Sequence, residues 1–552
     1  MGITQRSARR SQPADGRCLH ALRRISGVAA ALLVLVLGGC ASLPAPLPRL
    51  ASQALDGAAT PLAQLVAAST PPAQRHLSGL RLLADGDHAL DARIALIGRA
   101  TRSLDVQYYQ IASDPVGLRF LRELRDAAAR GVRVRLLVDD LYAAGQDPLF
   151  AALAAVPRVE VRMFNPLPVR SGGMATRFAL SLHQFERINR RMHNKLFIAD
   201  SVIAVAGGRN IGDEYFMRGA QANFIDMDVL ATGVVVPTLA AVFDRYWNSE
   251  LAWSIQRLAS ADSAHSAHCA HCANCANCAN CATGADFDAL VQAAAATLPV
   301  SPSDRFGHTP VSQQLAAGQL AQAFGAVQVA ADDPAKAAGQ ADPLTTTRAQ
   351  VSHAMGQAEH EMLIVSPYFV PGSRGMALLM HAAGRHVRTT VLTNSLGATD
   401  EPLVHAGYAG YRHAMLKLGV KLHELGARLS QKSSLFANIG SSTGRLHAKV
   451  LVIDRQRLVI GSMNMDGRSE RHNTEIALLI DSPELASEVV ELFRGEAQAS
   501  SYQLRLSADQ QRIEWLADES GQQVLHTAEP GATLINGLKL ALLGAVIDED
   551  LL

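Results

Sequence analysis

Short buried runs alternate with amphipathic ones along most of the chain. LDVQYYQI (104–111) reads as a strand, and GLRFLRELRDAAARG (117–131) as an amphipathic helix ended by glycine. VRVRLLVDD (132–140) and VEVRMF (159–164) read as further buried strands, followed by the short pair HNKLFIAD and SVIAVAGG. The rhythm lapses from about Ser254 to Pro343 and resumes near 350 with a helix through AQVSHAMGQAEHE, the strand MLIVSPYFV, a helix near GMALLMHAAGRH and the strand VRTTVLTN. The second half thus repeats the order of the first. That pattern predicts an α/β chain built from two similar domains with largely buried sheets.

The repeat extends to chemistry. RMHNKLFIAD places His193 and Lys195 two apart at the start of an apolar run, where a strand would set them side by side on one face. LHAKVLVIDRQRLVIGSMN places His447, Lys449, Asp454, Gly461 and Asn464 at the same relative spacing as His193, Lys195, Asp200, Gly207 and Asn210. One histidine–lysine pair on a core strand is ordinarily a buried structural pair. Five matched positions in corresponding places of two halves are not a coincidence of composition.

The doubled pattern HxKx4Dx6G(S/G)xN resembles the phospholipase D superfamily. GGRNIGDEYF (207–216), SPYFVPG (366–372), TNSLGATDEPLVHAGYAGYR (393–412) and RHNTEIALLID (471–481) are similar to its bacterial cardiolipin synthase branch, in the C-type members. The resemblance runs from about Leu80 onward, broken by the central insert. It implies two similar phospholipase D-like α/β sandwich domains related by a pseudo-two-fold axis, with the active site at their interface. One departure is Gly208 where the second motif has Ser462.

Attack on an anionic phosphodiester needs cations on the non-bridging oxygens, a nucleophile and a proton donor. Two facing histidines supply the last two, one forming a phosphohistidine while the other protonates the departing alcohol and later activates the acceptor. The family tendency makes His193 the nucleophile and His447 the acid/base. Lys195 and Lys449 would hold the phosphate oxygens, with Asn210 and Asn464 adding hydrogen bonds. No metal or other cofactor is expected. Each imidazole needs an acceptor for its second nitrogen. Glu475 is the candidate for one, and Asp228 for the other, with Asp226 as its rival. Asp200 and Asp454 read as supports of the motif at a turn. Tyr108, Tyr109, Tyr368, Phe369, His405 and Tyr408 are candidates to line a lipid groove, with His405 and Tyr408 assigned to the substrate pocket; such aromatics are as often core.

Composition narrows the partners. In 552 residues, 48% hydrophobic, Lys and Arg number 51 and Asp and Glu 50, so no global field favours nucleic acid. Six arginines precede the apolar run ISGVAAALLVLVLGG, which ends just before Cys40. This describes a secretory signal, and LGGC resembles a lipobox that would lipidate Cys40; the rival is an uncleaved anchor. Either places the body at a membrane, in the cell envelope facing the periplasm. The expected organisation is a signal peptide (1–39), a tether (40–78), a first domain (79–253), a linker or insert (254–343) and a second domain (344–552).

The insert carries Cys269, Cys272, Cys275, Cys278 and Cys281 with His268 and His271 between them. This three-residue period suits a tripeptide expansion better than a closed metal site. The leading expectation is phosphatidyl transfer on membrane phospholipids, phosphatidylglycerol with phosphatidylethanolamine as a possible second substrate. Hydrolysis to phosphatidic acid uses the same site, and a nuclease fits the chemistry but not the charge balance. A non-catalytic metal- or lipid-binding scaffold is the alternative outside enzymes. Nothing in the sequence sets the oligomeric state.

Overall fold

A computed structural model describes residues 43, 51–258, 284–294, 299–427, 443–519 and 521–532. The signal segment, Cys40 and the cysteine tract lie outside these residues.

The first half contributes β1 (Ser78–Leu83), β2 (Ser103–Tyr108), β3 (Arg133–Asp139), β4 (Val159–Phe164), β5 (Leu196–Ala199), β6 (Ile203–Gly207), β7 (Ala222–Ile225), β8 (Asp228–Gly233) and β9 (Ala252–Ser254). The second contributes β10 (Ala323–Ala331), β11 (Glu361–Val365), β12 (Arg388–Asn394), β13 (Lys421–Leu425), β14 (Thr443–Leu446), β15 (Val450–Ile453), β16 (Arg457–Gly461), β17 (Ile476–Asp481), β18 (Ser501–Leu506), β19 (Ile513–Glu519) and β20 (Gln522–His526). By pairing, the first sheet runs β1-β8-β6-β5-β2-β3-β4-β9. The second runs β10-β17-β16-β15-β11-β12-β13-β18 and continues through β19 and β20. The two orders correspond strand for strand. They join edge to edge because the start of β10 pairs with β1 and its remainder with β17.

Alternation along the strands builds the layers. Leu196 and Ile198 of β5 and Val450 and Val452 of β15 share one core cluster, to which the helices Val236–Asn248 and Pro483–Leu492 contribute Phe243, Trp247, Leu485 and Val489. The intervening Phe197 and Ala199 face a second cluster in the first half, and Leu451 and Ile453 a third in the second half. A period of two therefore divides each strand between a core shared by both halves and a core of its own.

Three boundaries differ from the sequence reading. Residues from 51 onward of the expected tether are folded: the helix Pro61–Ser69 buries Leu62 and Val66, an i, i+4 apolar pair, and the chain before it is bonded to Asp244. The expected linker supplies β10, the edge strand of the second sheet, and a buried Arg81–Asp304 pair (2.9 Å). The second repeat thus begins near 323 rather than 344, hidden in sequence by the Ala-rich composition of β10. Finally, β5 and β15 begin at Leu196 and Val450, so both histidine–lysine pairs precede the ladder. Their backbones bond the opposite half instead. The His193 amide donates to the Thr474 carbonyl (2.9 Å) and the His447 amide to the Ile225 carbonyl (2.7 Å).

Candidate active site

Each histidine is held by a carboxylate from the other half. His193 Nδ1 lies 3.0 Å from Glu475 Oε2, and His447 Nδ1 lies 2.5 Å from Asp226 Oδ2. With Nδ1–H donating to the carboxylate, Nε2 of each ring is left for chemistry. Both rings face one cavity of about 390 Å³ that Asn210 and Asn464 also line.

Sheet register explains why Asp226, not Asp228, partners His447. Gly207 of the first motif pairs with Asp228, whereas Gly461 of the second pairs with Ala477. Asp228 is therefore the counterpart of Ala477, and Asp226, two residues earlier, that of Glu475. Asp228 is instead buried against Arg93 (2.9 Å) and Arg209 (3.2 Å). The register also accounts for Gly208. A Cβ there would lie 2.1 Å from Asp226 Oδ1, while Ser462 in the second motif donates its hydroxyl to the longer Glu475.

The lysines fold back on the histidines. Lys195 Nζ donates to the His193 carbonyl (2.7 Å), and Lys449 Nζ to that of His447. Asn194, between the first pair, points away and accepts from the Thr474 hydroxyl (2.9 Å). Asp200 accepts from the amides of Thr101, Arg102 and Ser103, and Asp454 from those of Glu359, His360 and Glu361. Each thereby clamps the start of β2 or β11 against the end of the motif strand. Both have a positive φ (52°), a turn conformation that Asp tolerates better than most side chains.

The electrostatics are unequal across the axis. Burial, with repulsion from Lys195 and Lys449, pushes His193 well below the ordinary imidazole range. Burial and Lys449 also lower His447, but Asp226 opposes them. Burial would raise Asp226, yet His447 and Lys449 outweigh it and hold it below the usual carboxylate range. Burial raises Glu475 to about 7 and lowers Lys449 to about 8. Burial likewise lowers Lys195 well below its usual value. The charge pattern makes His193 the more readily neutral imidazole and keeps an ionised partner under His447.

Of the aromatic candidates, Tyr109 and Tyr368 line the cavity. Tyr109 packs edge-on to His193 (5.0 Å between centroids), and its ring lies 5.2 Å from Lys195 Nζ. Tyr108 is core, its hydroxyl accepting from Arg93 (2.9 Å), and Phe369 is buried near Tyr408. His405 and Tyr408 do not line the cavity. The helix Pro402–Ala409 turns Leu403 and Val404 toward it, while His405 contacts Glu529 (2.7 Å) and Tyr408 lies under the Arg412 guanidinium. Sequence reasoning missed Tyr142, Tyr215, Asp400, Glu401, Asp466 and Arg468, which complete the wall. Asp466 and Arg468 follow Asn464 and Tyr215 follows Asn210, close enough to a motif to be suspected; Tyr142, Asp400 and Glu401 arrive after other strands.

Comparison with known proteins agrees with this geometry. The family described as "Cardiolipin synthase, PLD-like domain" matches residues 94–247 and 351–496, one match in each half. The chain is 35% identical over 474 residues to cardiolipin synthase C of Escherichia coli K12, covering 85% of this chain and 96% of that protein. It is 25% identical over 418 residues to cardiolipin synthase A of Pseudomonas fluorescens Pf-5, covering 76% and 68%. Its fold is similar to that of phosphatidylserine synthase from Haemophilus influenzae, with a TM-score of 0.53 at 12% identity over 86% of this chain and 96% of that one. The chain belongs to the phospholipase D superfamily of phosphatidyltransferases and phosphodiesterases, within the family of cardiolipin synthase-type domains.

Proposed function

We propose that the protein transfers phosphatidyl groups between membrane phospholipids through a covalent phosphohistidine, forming cardiolipin. The observation that carries this reading is the pair of motif histidines facing one cavity, each braced by a carboxylate from the opposite half. The relatives that bear the name cardiolipin synthase support the same substrate class.

Neutral His193 attacks phosphorus through Nε2, and a P–N bond replaces the bond to the leaving alcohol. His447 gives its Nε2 proton to that departing oxygen. An acceptor hydroxyl then returns a proton to His447 while its oxygen displaces His193. Lys195, Lys449, Asn210 and Asn464 hold the non-bridging oxygens, drawing the developing charge onto fixed donors. No step in this sequence calls for a metal. Phosphatidylglycerol is the proposed donor and acceptor, with phosphatidylethanolamine as a second candidate, and Cys40 the proposed lipid anchor to the envelope membrane.

The test is incubation of detergent-purified protein, with chelator, on labelled phosphatidylglycerol with and without phosphatidylethanolamine. Cardiolipin supports transfer; phosphatidic acid alone supports hydrolysis instead; loss of activity with chelator contradicts the mechanism. Labelled phosphate should remain trapped on a His447→Ala variant and not on His193→Ala, and label on the latter would reverse the two roles.

A further inference from the structure

One carboxylate in the cavity wall is left half-used. Asp400, in the loop after β12, accepts the Tyr368 hydroxyl at Oδ2 (2.8 Å). Its Oδ1 is shielded from solvent and has no partner among the described residues, nor does Asp400 form an ion pair there. Other acids near the corresponding strand end of the first half are matched: Asp139 by Arg191 (2.5 Å) and Asp140 by Arg170 (2.6 Å). Orphan amide oxygens at Asn210 and Asn464 can be exchanged for the amide nitrogens by a flip, but a carboxylate oxygen has no such freedom.

A buried acceptor is ordinarily satisfied, so the shielded Oδ1 of this cavity-lining residue is the place for a donor that arrives with the ligand. The phosphodiester is not that donor: it is an anion with no proton to offer. Glu401, the next residue, also lines the cavity, and burial together with Asp400 raises it. The wall thus holds the acids Asp400, Glu401 and Asp466 together with the cation Arg468, and Asp400 Oδ1 is the shielded carboxylate oxygen there that lacks a donor among the described residues.

We infer that Asp400 Oδ1 receives a hydroxyl of the acceptor's polyol head group and thereby favours transfer over hydrolysis. This rests on the transferase reading above. During the second step one hydroxyl of the polyol loses its proton to His447 as its oxygen bonds phosphorus and the P–N bond to His193 breaks. A neighbouring hydroxyl donates to Asp400 Oδ1, and the attacking oxygen is thereby held in line. Water carries its second hydrogen on the attacking oxygen itself, so it cannot donate from the neighbouring position that a second hydroxyl of the polyol occupies.

The experiment uses full-length protein in detergent micelles with labelled phosphatidylglycerol and, as soluble acceptors in separate arms, glycerol, 1-propanol and ethanolamine. Transfer and hydrolysis products are read in the same tube, so partial unfolding cancels from their ratio. The wild type should prefer glycerol to 1-propanol, and Asp400→Ala should lower its glycerol-transfer to hydrolysis ratio about tenfold while leaving the 1-propanol ratio within twofold. Asp400→Asn, which keeps a carbonyl acceptor, should recover part of the preference. An unchanged glycerol ratio, or an equal fall for glycerol and 1-propanol, would overturn the assignment. So would a loss confined to ethanolamine, which would mark an ammonium site instead. If the wild type transfers to no alcohol at all, the transferase reading itself fails, a result distinct from any of these.

Discussion

Glu475 Oε2 meets His193 Nδ1 at 3.0 Å across 282 positions of sequence, and the His193 backbone amide is bonded to Thr474 of the same distant segment, just before β17. The brace is thus built twice over, through main chain and side chain. The same holds at Ile225 and Asp226 for His447. Neither half orients its own histidine.

Removing either brace should cost turnover more than stability. Glu475→Gln and Asp226→Asn should each lower kcat on the order of 10²-fold or more, because the imidazole loses the acceptor that fixes its tautomer. Asp228→Asn should act in the opposite sense. It leaves Arg93 and Arg209 buried with less compensation, a loss of about 3–5 kcal/mol. Thermal melts beside initial rates separate the two, and a stable, inactive Asp228→Asn protein would contradict the assignment.

The pH dependence follows from the buried cations. Lys449 is charged below about 8 and neutral above it, so the phosphate clamp weakens as pH rises through that value. His193 must be neutral to attack, and its lowered value puts the acid limb below the usual imidazole range near 6.5. His447 must carry its Nε2 proton to act as acid, and its value too lies below 6.5, so as pH rises kcat/KM should begin to fall below 6.5 and fall again near 8 as Lys449 loses its charge. In Lys449→Arg, which stays charged, the step near 8 should disappear; a step that remains would assign it elsewhere.

Gly208→Ser, which makes the first motif match the second, should be harmful. Its side chain would enter the space of Asp226 Oδ1. Activity should drop at least tenfold, whereas Ser462→Ala, which withdraws one hydrogen bond from a buried carboxylate, should cost about 1.5–3 kcal/mol of stability. Equal behaviour of Gly208→Ser and wild type in kcat would show that Asp226 has room to retreat.

Glu529 tests the packing under the helix Pro402–Ala409. It pairs with His405 and Arg412, and although burial would raise it, these contacts hold it at about 2 against an ordinary 4.5. Its contribution is present above 4.5 and lost as pH falls toward 2. Glu529→Gln should lower the melting temperature at neutral pH and narrow its gap to wild type as the pH is brought down through 4.5. A gap independent of pH would mean that the charge contributes nothing.

The sequence by itself determined the repeat, the residue types at its heart and the layered α/β architecture. These rest on local rules: a period of two in strands, of 3.6 in helices, and fixed spacing within a motif. It also named Glu475 and kept Asp226 in view beside Asp228. The tertiary structure alone decided between those two aspartates, because the choice depends on which residue pairs with Gly207 across β6 and β8. It likewise decided that 323–331 is the edge strand of the second sheet, that His405 turns toward Glu529, and that Asp400 reaches the cavity. Each of these follows from strand register, helix facing or loop placement. Those are set by how the two halves pack together, and no stretch of chain carries that information alone.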